Sequence, residues 1–323
     1  MLDAERPSES SSALPTDEWI RILDEDYLNG YIMDDGATVK VAVGDEETRK
    51  AVVSTLVDLA NHANFVTARV DALTCKVHLV HNLFNGVAQQ IDWPSLARLF
   101  VRRGLAERGY PAPSGDGLDL QVIADEHGLE LALMRRELLQ MLTERLYQNT
   151  DLTREMRLAA VQLCLAVAEG TDQATRMGQN IQEWLCGELR LVSALKQALI
   201  FQKVNRHNAR GLLSSLGSWA RMAGKSGVVV TVDIARYLEQ AADPNQGLKF
   251  SKSATLEVYE VVRQFIDGTD EMEGTMLVFL TGPEFLIDGV RGMKSYGALR
   301  LRLYADVLDR SRPNPLSPMV TLG

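Results

Sequence analysis

Continuous apolar runs alternate with stretches of helical periodicity along the chain. The runs at 227–234 and 274–281 are continuously apolar, which is typical of parallel strands covered on both sides, whereas 64–73 is β-branched and alternates. The runs lie at residues 38–43, 64–73, 227–234, 274–281 and 318–322. We predict that the second strand ends at Asp71 and that the last is an edge strand. Strands separated by helices predict an α/β fold with a parallel sheet and right-handed crossovers.

Helical patterns fill most of the remaining chain. A short amphipathic helix is predicted at 16–28, and another from near Lys50 to about Asn61. Residues 118–223 show helical periodicity without a convincing strand, and the Gly/Pro cluster at 109–118 predicts a loop. The predicted division is a flexible lead at 1–16, a first part of the α/β core at 17–76, a helical insertion or lid at 77–223 and a second part of the core at 224–323.

Composition narrows the class of protein. The 323 residues are 46% hydrophobic and 24% charged, as in ordinary globular proteins. The net charge of −9 argues against broad adsorption to nucleic acid, although it leaves a local basic patch open. Cys75, Cys164 and Cys186 are odd in number and widely spaced, which predicts a reducing compartment without a disulfide framework. We expect a cytoplasmic protein, since no apolar run reaches the ~18 residues of a membrane span and no signal core begins the chain.

The segment 38–56 has the strand–loop–helix pattern of a phosphate-binding loop. Gly44 and Lys50 have the separation that the motif G-x-x-x-x-G-K-S/T requires, but Arg49 replaces its second glycine and Ala51 its hydroxyl residue. Glycine lets the backbone approach phosphate, and the hydroxyl binds Mg²⁺. The loop also carries three acidic residues, at 45–47. From these residues alone, either the loop has lost its chemistry or it is an ordinary strand–helix connection.

One further position fits a nucleotide site, and another resembles the motif by accident. Asp233 ends an apolar strand, as a magnesium-orienting carboxylate does, but Ile234 follows where an active ATPase often has Glu. Residues 224–226, Gly-Lys-Ser, spell the end of the motif after a helix and before a strand. Because the required order is the reverse, we do not assign this tripeptide to phosphate binding.

Two weaker patterns point to other functions. Cys75, His78 and His81 have ligand-like spacing, but a structural zinc site needs four ligands and no second cluster accompanies them. Residues 122–142 faintly resemble a helix-turn-helix whose second helix contains Arg135 and Arg136. Neighbouring acidic residues weaken that pattern. We therefore expect packed or solvated helix positions in both places.

The distal part of the chain resembles a known family. Residues 278–303 contain Thr281 at a strand end, Pro-Glu-Phe at 283–285, Arg-Gly at 291–292, Ser-Tyr-Gly-Ala-Leu at 295–299, and then Arg300 and Arg302. This pattern resembles the ATP-binding proteins of bacterial BREX-type phage-defence loci, the BrxD-like P-loop family. The resemblance continues through 208–233 and reaches the N-terminal segments 35–44 and 69–79.

The resemblance implies a RecA/AAA+-like P-loop core with a large helical insertion. In the family pattern, Gly44 and Lys50 fall on the phosphate loop, Asp233 on the Walker B acid and Thr281 on the sensor position. Arg291 would sense phosphate or bridge subunits. Within that pattern the departures are Arg49, Ala51 and Ile234, and together they predict that hydrolysis is lost.

Three hypotheses follow. The leading one is a pseudo-ATPase that acts as a scaffold or regulatory subunit of an anti-phage assembly and needs no cofactor. Its partners would be other defence-system subunits, including an active P-loop homologue, or further copies of itself. The second is an ATPase that uses ATP and Mg²⁺ after completion by a partner's arginine. The third is a nucleic-acid-binding module that uses the insertion helices or residues 291–302.

Overall fold

Five parallel strands form one sheet at the centre of the protein. The computed structural model describes residues 13–113, 117–239, 247–287, 289–304 and 314–323. The strands are β1 (Ala37–Val43), β2 (Val66–Asp71), β3 (Val228–Asp233), β4 (Thr275–Thr281) and β5 (Met319–Thr321). Their order across the sheet is β2-β3-β4-β1-β5, and every pair is parallel. The predictions of an α/β fold, a parallel sheet and an edge strand near the C-terminus are confirmed.

Helices occupy most of the remaining described chain. They are α1 (Thr16–Ile22), α2 (Glu46–His62), α3 (Val80–Ala88), α4 (Trp93–Glu107), α5 (Leu120–Glu126), α6 (Leu131–Leu142), α7 (Arg154–Glu169), α8 (Asp172–Leu185), α9 (Ala209–Met222), α10 (Lys252–Asp267) and α11 (Gly297–Tyr304). A π-helical segment, Leu23–Tyr31, continues α1. No helix in the described ranges combines the length and apolarity needed to cross a bilayer.

The two faces of the sheet are covered by different helices. On the first face, side chains such as Val278 and Leu280 pack against α1, the π-helical segment and α2. On the second face, side chains such as Val230 and Phe279 join a larger core with α3, α4, α9, α10 and α11. That core extends without a break into α6, α7 and α8. The proposed boundaries at residues 77 and 223 stay predictions.

Close packing of α9 on the sheet depends on a glycine. Gly217 lies in the buried part of α9, and a Cβ there would approach the carbonyl oxygen of Glu273 to 2.1 Å. Two residues farther along α9, the ring of Trp219 stacks on that of Trp93 with the centroids 5.7 Å apart. Such short helix–backbone approaches require a residue without a side chain.

A buried lysine holds the segment that leads into β5. Lys40, on β1, is only 3% exposed, and its ammonium donates to the carbonyl oxygens of Leu316 (2.6 Å) and Ser317 (3.2 Å). The same ammonium lies 4.6 Å from the ring centre of Tyr27. Burial lowers the pKa of Lys40 from 10.5 to about 8, because a low-polarity surrounding disfavours the charged form.

Each edge of the sheet has its own cover. On β2, the side-chain amide of Gln90 accepts from the Arg69 backbone N–H (3.0 Å) and donates to the Arg69 carbonyl (2.7 Å). On β5, the backbone of Leu14 accepts from Gly323 and donates to the carbonyl of Thr321. Exposed strand edges invite pairing with other chains, and these contacts occupy part of each edge.

Most boundary predictions agree with the structure to within a few residues, with one important exception. The helix predicted to begin near Lys50 begins at Glu46, because Asp45 caps it there. The predicted lead at 1–16 lies outside the described residues up to position 12, as do residues 114–116 of the predicted loop at 109–118.

Candidate functional site

At the carboxyl end of the sheet, the chain leaves the neighbouring strands β1 and β4 towards opposite faces, and we refer to this place as the crevice. After β1 the chain turns to the first face as α2, whereas after β4 it turns to the second face and continues to α11. Ligands of open parallel sheets bind where neighbouring strands diverge in this way. This place in the fold is therefore the candidate site, and Gly44, Arg49, Asp233 and Thr281 all lie at it.

The connection between β1 and α2 is only two residues long. Gly44 donates its N–H to the carbonyl of Thr281 (3.0 Å), and a Cβ on Gly44 would lie 2.9 Å from the Thr48 Cγ2. The carboxylate of Asp45 then accepts from the Thr48 N–H (2.8 Å), and this bond lowers the pKa of Asp45. A helix N-terminus is a natural anion site, and here the chain's own carboxylate fills it.

Arg49 extends from the first turn of α2 across the strand ends. Its Nε lies 2.9 Å from Asp233 Oδ2, and its Nη1 donates to the carbonyl of Gly44 (3.0 Å). The two side chains are only 13% and 22% exposed. The other carboxylate oxygen of Asp233 accepts from the Ala235 N–H (2.9 Å). Both carboxylate oxygens are thus occupied by groups of the protein.

Lys50 and Ala51 lie away from the crevice. Both residues are exposed, and the Lys50 ammonium pairs with the carboxylate of Glu46 on the same helix. Glu46 responds with a lowered pKa, through that hydrogen bond and charge. The structure brings Arg49 to Asp233, therefore, and leaves the predicted phosphate-loop lysine in solvent.

Two further polar groups complete the strand ends. Asp71 is the sheet neighbour of Asp233, and burial, together with the charge of Asp233, raises its pKa. Thr281 is fully buried, and its hydroxyl has no hydrogen-bond partner among the residues that the structure describes. A buried hydroxyl without a partner costs free energy, so Thr281 stands out as the one unsatisfied polar side chain among the predicted site residues.

Arg291 has a different environment from the one that a phosphate sensor needs. Its guanidinium donates to the carbonyl oxygens of Tyr237 (2.8 Å) and Phe250 (2.9 Å) and to the hydroxyl of Thr255 (3.4 Å). Its own carbonyl accepts from the Tyr259 hydroxyl. These contacts connect three segments on the second face, and none of them involves Arg49 or Asp233.

The weaker candidates resolve into packing positions. His78 hydrogen-bonds the hydroxyl of Tyr237 (2.7 Å) and lies edge-on to Phe250. Within the described ranges no group of three or more His, Cys, Asp or Glu side chains is arranged to hold a metal ion, and the three cysteines are free thiols. Helices α5 and α6 do form a helix–turn–helix, with Gly128 at φ +64°, but Arg135 is paired with Glu169 (2.8 Å).

The site geometry does not fit ATP and Mg²⁺. The helix N-terminus is capped by Asp45, a guanidinium stands beside Asp233, and position 51 supplies no hydroxyl to a metal. Sequence reasoning identified Arg49 as a departure but missed its partner. The sequence contained one signal for this pair. A cation, Arg49, stands where the motif has glycine, and a carboxylate, Asp233, ends a strand.

Comparison with known proteins gives one family. Residues 117–323 match the model of the family described as BREX system ATP-binding protein BrxC/D. The matched range includes 208–233 and 278–303, which carry the distal resemblance, and begins after the segment 38–56. No curated protein and no solved structure matches the chain.

Proposed function

Because the chain belongs to the BrxC/D family of BREX system ATP-binding proteins, we propose that it serves a BREX system as a pseudo-ATPase, a scaffold or regulatory subunit that does not hydrolyse ATP. In this proposal the α/β core is of the RecA/AAA+ P-loop type and the nucleotide site is vestigial. The all-parallel sheet is consistent with such a core. The family is described as ATP-binding, so ATP is the ligand that the ancestral site would have bound. The contacts made by the residues at the crevice support the loss of that binding in this chain.

The observation that carries the proposal is the ion pair of Arg49 with Asp233. A nucleotide site presents backbone N–H groups and a lysine to phosphate, and a carboxylate to Mg²⁺. In this chain the carboxylate is neutralised by Arg49, the helix N-terminus by Asp45, and Lys50 by Glu46. These three groups, which would bind the nucleotide or its metal, are therefore each paired within the chain itself.

Membership of a BREX system implies other system subunits as partners. An inactive core retained in such a system is best explained by its surfaces, since selection on hydrolysis no longer maintains it. We propose that this chain assembles with those subunits, including an active P-loop homologue, or with further copies of itself. Residues 44–51 then contribute to the shape of the core and not to chemistry.

Isothermal titration with ATP and Mg²⁺ tests the proposal directly. The purified chain should release no binding heat at ligand concentrations up to about 1 mM, a range that detects binding stronger than about −4 kcal/mol. An Arg49→Ala variant tests whether the guanidinium alone excludes the ligand, and an Arg21→Ala variant removes an exposed arginine far from the crevice. Low-micromolar binding by the unaltered chain would contradict the proposal.

A turnover assay addresses the alternative of an ATPase completed by a partner. It should be run with the other BREX subunits present, and with Lys50→Ala as the control. ATP hydrolysis that disappears in Lys50→Ala would establish the alternative. We expect no hydrolysis attributable to this chain, because the Lys50 side chain is 74% exposed and its ammonium is paired with Glu46.

A further inference from the structure

The charge of this acidic chain is distributed unevenly. Aspartate and glutamate make up 43 of the 323 residues, yet none occurs between Glu188 and Asp233. The first half of that interval, residues 189–210, contains Arg190, Lys196, Lys203, Arg206 and Arg210. In the structure this part connects α8 to α9 and includes the 3₁₀ helix Val192–Ala198. We refer to residues 189–210 as the basic segment.

Four of the five cations of the basic segment point into solvent without an acidic partner among the described residues, whereas Arg210 lies 3.8 Å from the Glu271 carboxylate. Arg190, Lys196, Lys203 and Arg206 are all exposed. Of these, none forms an ion pair with a carboxylate in the described parts of the chain, and the Arg206 guanidinium contacts only the His207 ring (3.1 Å). By contrast, Arg21, Arg103 and Arg135 elsewhere on the surface each pair with a glutamate. Unpaired cations keep their full attraction for an external polyanion.

The backbone of the basic segment is held firmly in place. Its apolar residues Leu195, Ala198, Ile200 and Val204 are buried in the main core. The Trp184 indole donates to the Gln202 carbonyl (2.9 Å), and the side chain of Asn208 accepts from the Asn205 N–H (2.8 Å). Because buried residues are interspersed with the cations along the segment, the backbone that carries the charged side chains is fixed in position.

One aromatic ring stands among these cations. Phe201 is 63% exposed, although the residues on either side of it in the segment provide the anchoring. Leu199, two residues earlier, has a left-handed backbone (φ +57°) and is itself 47% exposed. A leucine in that conformation stores strain, and here the turn it makes ends the 3₁₀ helix and is followed by the buried side chain of Ile200. Folding explains the turn at Leu199, whereas it does not explain the exposure of the Phe201 ring.

We propose that the basic segment binds single-stranded nucleic acid, with its cations along the sugar–phosphate backbone and Phe201 stacked on a base. Binding of single strands combines unpaired cations with exposed aromatic rings, and both occur here within a dozen residues. A duplex hides its bases from such a ring. The exposed phenylalanine therefore favours a single strand over a duplex and over an acidic protein surface.

Carboxylates border the basic segment and define its extent. Glu155 accepts a hydrogen bond from Gln202 (3.3 Å), and Asp172 lines a cleft of about 650 Å³ together with Arg176 and Lys196. A phosphate backbone that follows the cations must pass outside Asp172. The expected path therefore runs from Arg190 past Lys196 to Lys203 and Arg206.

The test is a fluorescence-anisotropy titration of the full chain with a labelled 20-nucleotide single strand, a matched duplex as competitor, and a series of salt concentrations. Three variants are compared. The first is Lys196→Gln/Lys203→Gln/Arg206→Gln. The second, Arg21→Gln/Arg103→Gln/Arg135→Gln, makes the same change in net charge and also removes a cation from α6. The third is Phe201→Leu. Circular dichroism confirms that each variant is folded.

The expected result is salt-dependent binding of the single strand with a clear preference over the duplex. The first variant should bind at least about tenfold more weakly and lower the slope of log K against log salt by about 2. Phe201→Leu should weaken binding about tenfold, and the second variant should bind like the unaltered chain. Absence of binding at low salt, retention of binding in the first variant, or equal binding of duplex with no effect of Phe201→Leu would each overturn the proposal.

Discussion

Arg49 and Asp233 are 184 residues apart in the chain, and their side chains meet at 2.9 Å across the ends of β1 and β3. The guanidinium reaches Asp233 because α2 begins directly after Asp45, which brings position 49 over the sheet instead of into a loop. The pair thus depends on the two-residue connection between β1 and α2. The short connection and the ion pair belong to one local structure.

Removal of Arg49 should destabilise the protein. We expect Arg49→Ala to lower the free energy of unfolding by about 2 kcal/mol, because it leaves the mostly buried Asp233 without its cation. Lys50→Ala, which breaks an exposed pair one residue away, should change it by less than about 0.5 kcal/mol. Urea unfolding at neutral pH measures both.

A double-mutant cycle with Asp233→Asn isolates the pair itself. The losses in free energy of unfolding of the two single variants should add up to more than the loss in the double variant. The difference, which is the coupling free energy, should be about 1–2 kcal/mol. Additive effects would mean that Arg49 acts only through its bond to the Gly44 carbonyl.

Gly217 should tolerate no side chain. A Cβ there meets the Glu273 carbonyl oxygen, so Gly217→Ala forces α9 away from β4 and should cost about 2–3 kcal/mol. Gly297 provides the control, because a Cβ added there has open space around it and the position begins α11. Gly297→Ala should be neutral or stabilise by about 0.5 kcal/mol. Equal effects of the two changes on the thermal midpoint would contradict the packing argument.

Lys40 should make stability depend on alkaline pH. Its pKa is lowered from 10.5 to about 8 in the folded state, so between these values the unfolded chain binds the proton and the folded protein does not. Stability therefore rises with pH in this window, and below pH 8 the whole cost of the buried charge applies. At about 1.4 kcal/mol for each pH unit, the cost is about 3 kcal/mol.

Comparison with Lys40→Met isolates this contribution, because other groups that titrate in the same range are shared. Relative to the variant, the unaltered protein should gain about 3 kcal/mol in free energy of unfolding from pH 7.5 to pH 10.5. A difference between the two proteins that stays constant over this range would show that the hydrogen bonds to Leu316 and Ser317 balance the cost of burial.

Gln90 should protect one backbone amide of β2. In Gln90→Ala the Arg69 N–H loses the hydrogen bond that it donates to the Gln90 side chain. Hydrogen exchange at this amide should therefore accelerate about fivefold to tenfold. Gln89→Ala is the matched control, since the Gln89 amide donates instead to the Cys186 carbonyl (3.2 Å). Exchange rates measured by NMR distinguish the two, and the same rate at Arg69 in both variants would refute this role for Gln90.

The sheet was largely predictable from sequence because its strands are buried on both faces. Continuous apolar runs such as 274–281 are a strong local signal, and their parallel arrangement follows from the helices between them. The start of α2 was not predicted correctly. Its cap depends on Asp45 and Thr48, while the spacing of Gly44 and Lys50 favoured a longer loop. Two of the four defining residues of the motif are changed, at Arg49 and Ala51. The remaining two were therefore not enough to locate the start of the helix.

The sequence predicted where the candidate site lies in the fold, but it did not predict how the side chains of the site pair with one another. Asp233 and Thr281 end their strands where expected, and the departures at Arg49 and Ala51 were visible in the sequence. That Arg49 pairs with Asp233, and that Arg291 bonds backbone carbonyls, depends on side-chain reach across elements distant in sequence. No local pattern carries that information.

The covers on the two outer strands have a consequence for how complexes are built. Gln90 binds the backbone of Arg69 on the free side of β2, and Leu14 forms a single bridge with Leu322 at the end of β5. A neighbouring protein that extended this sheet by its own backbone would first have to displace them. Assemblies that contain this chain are therefore expected to join through side chains of helices and connecting segments, so that each subunit keeps a separate sheet and can be exchanged without unravelling its neighbour.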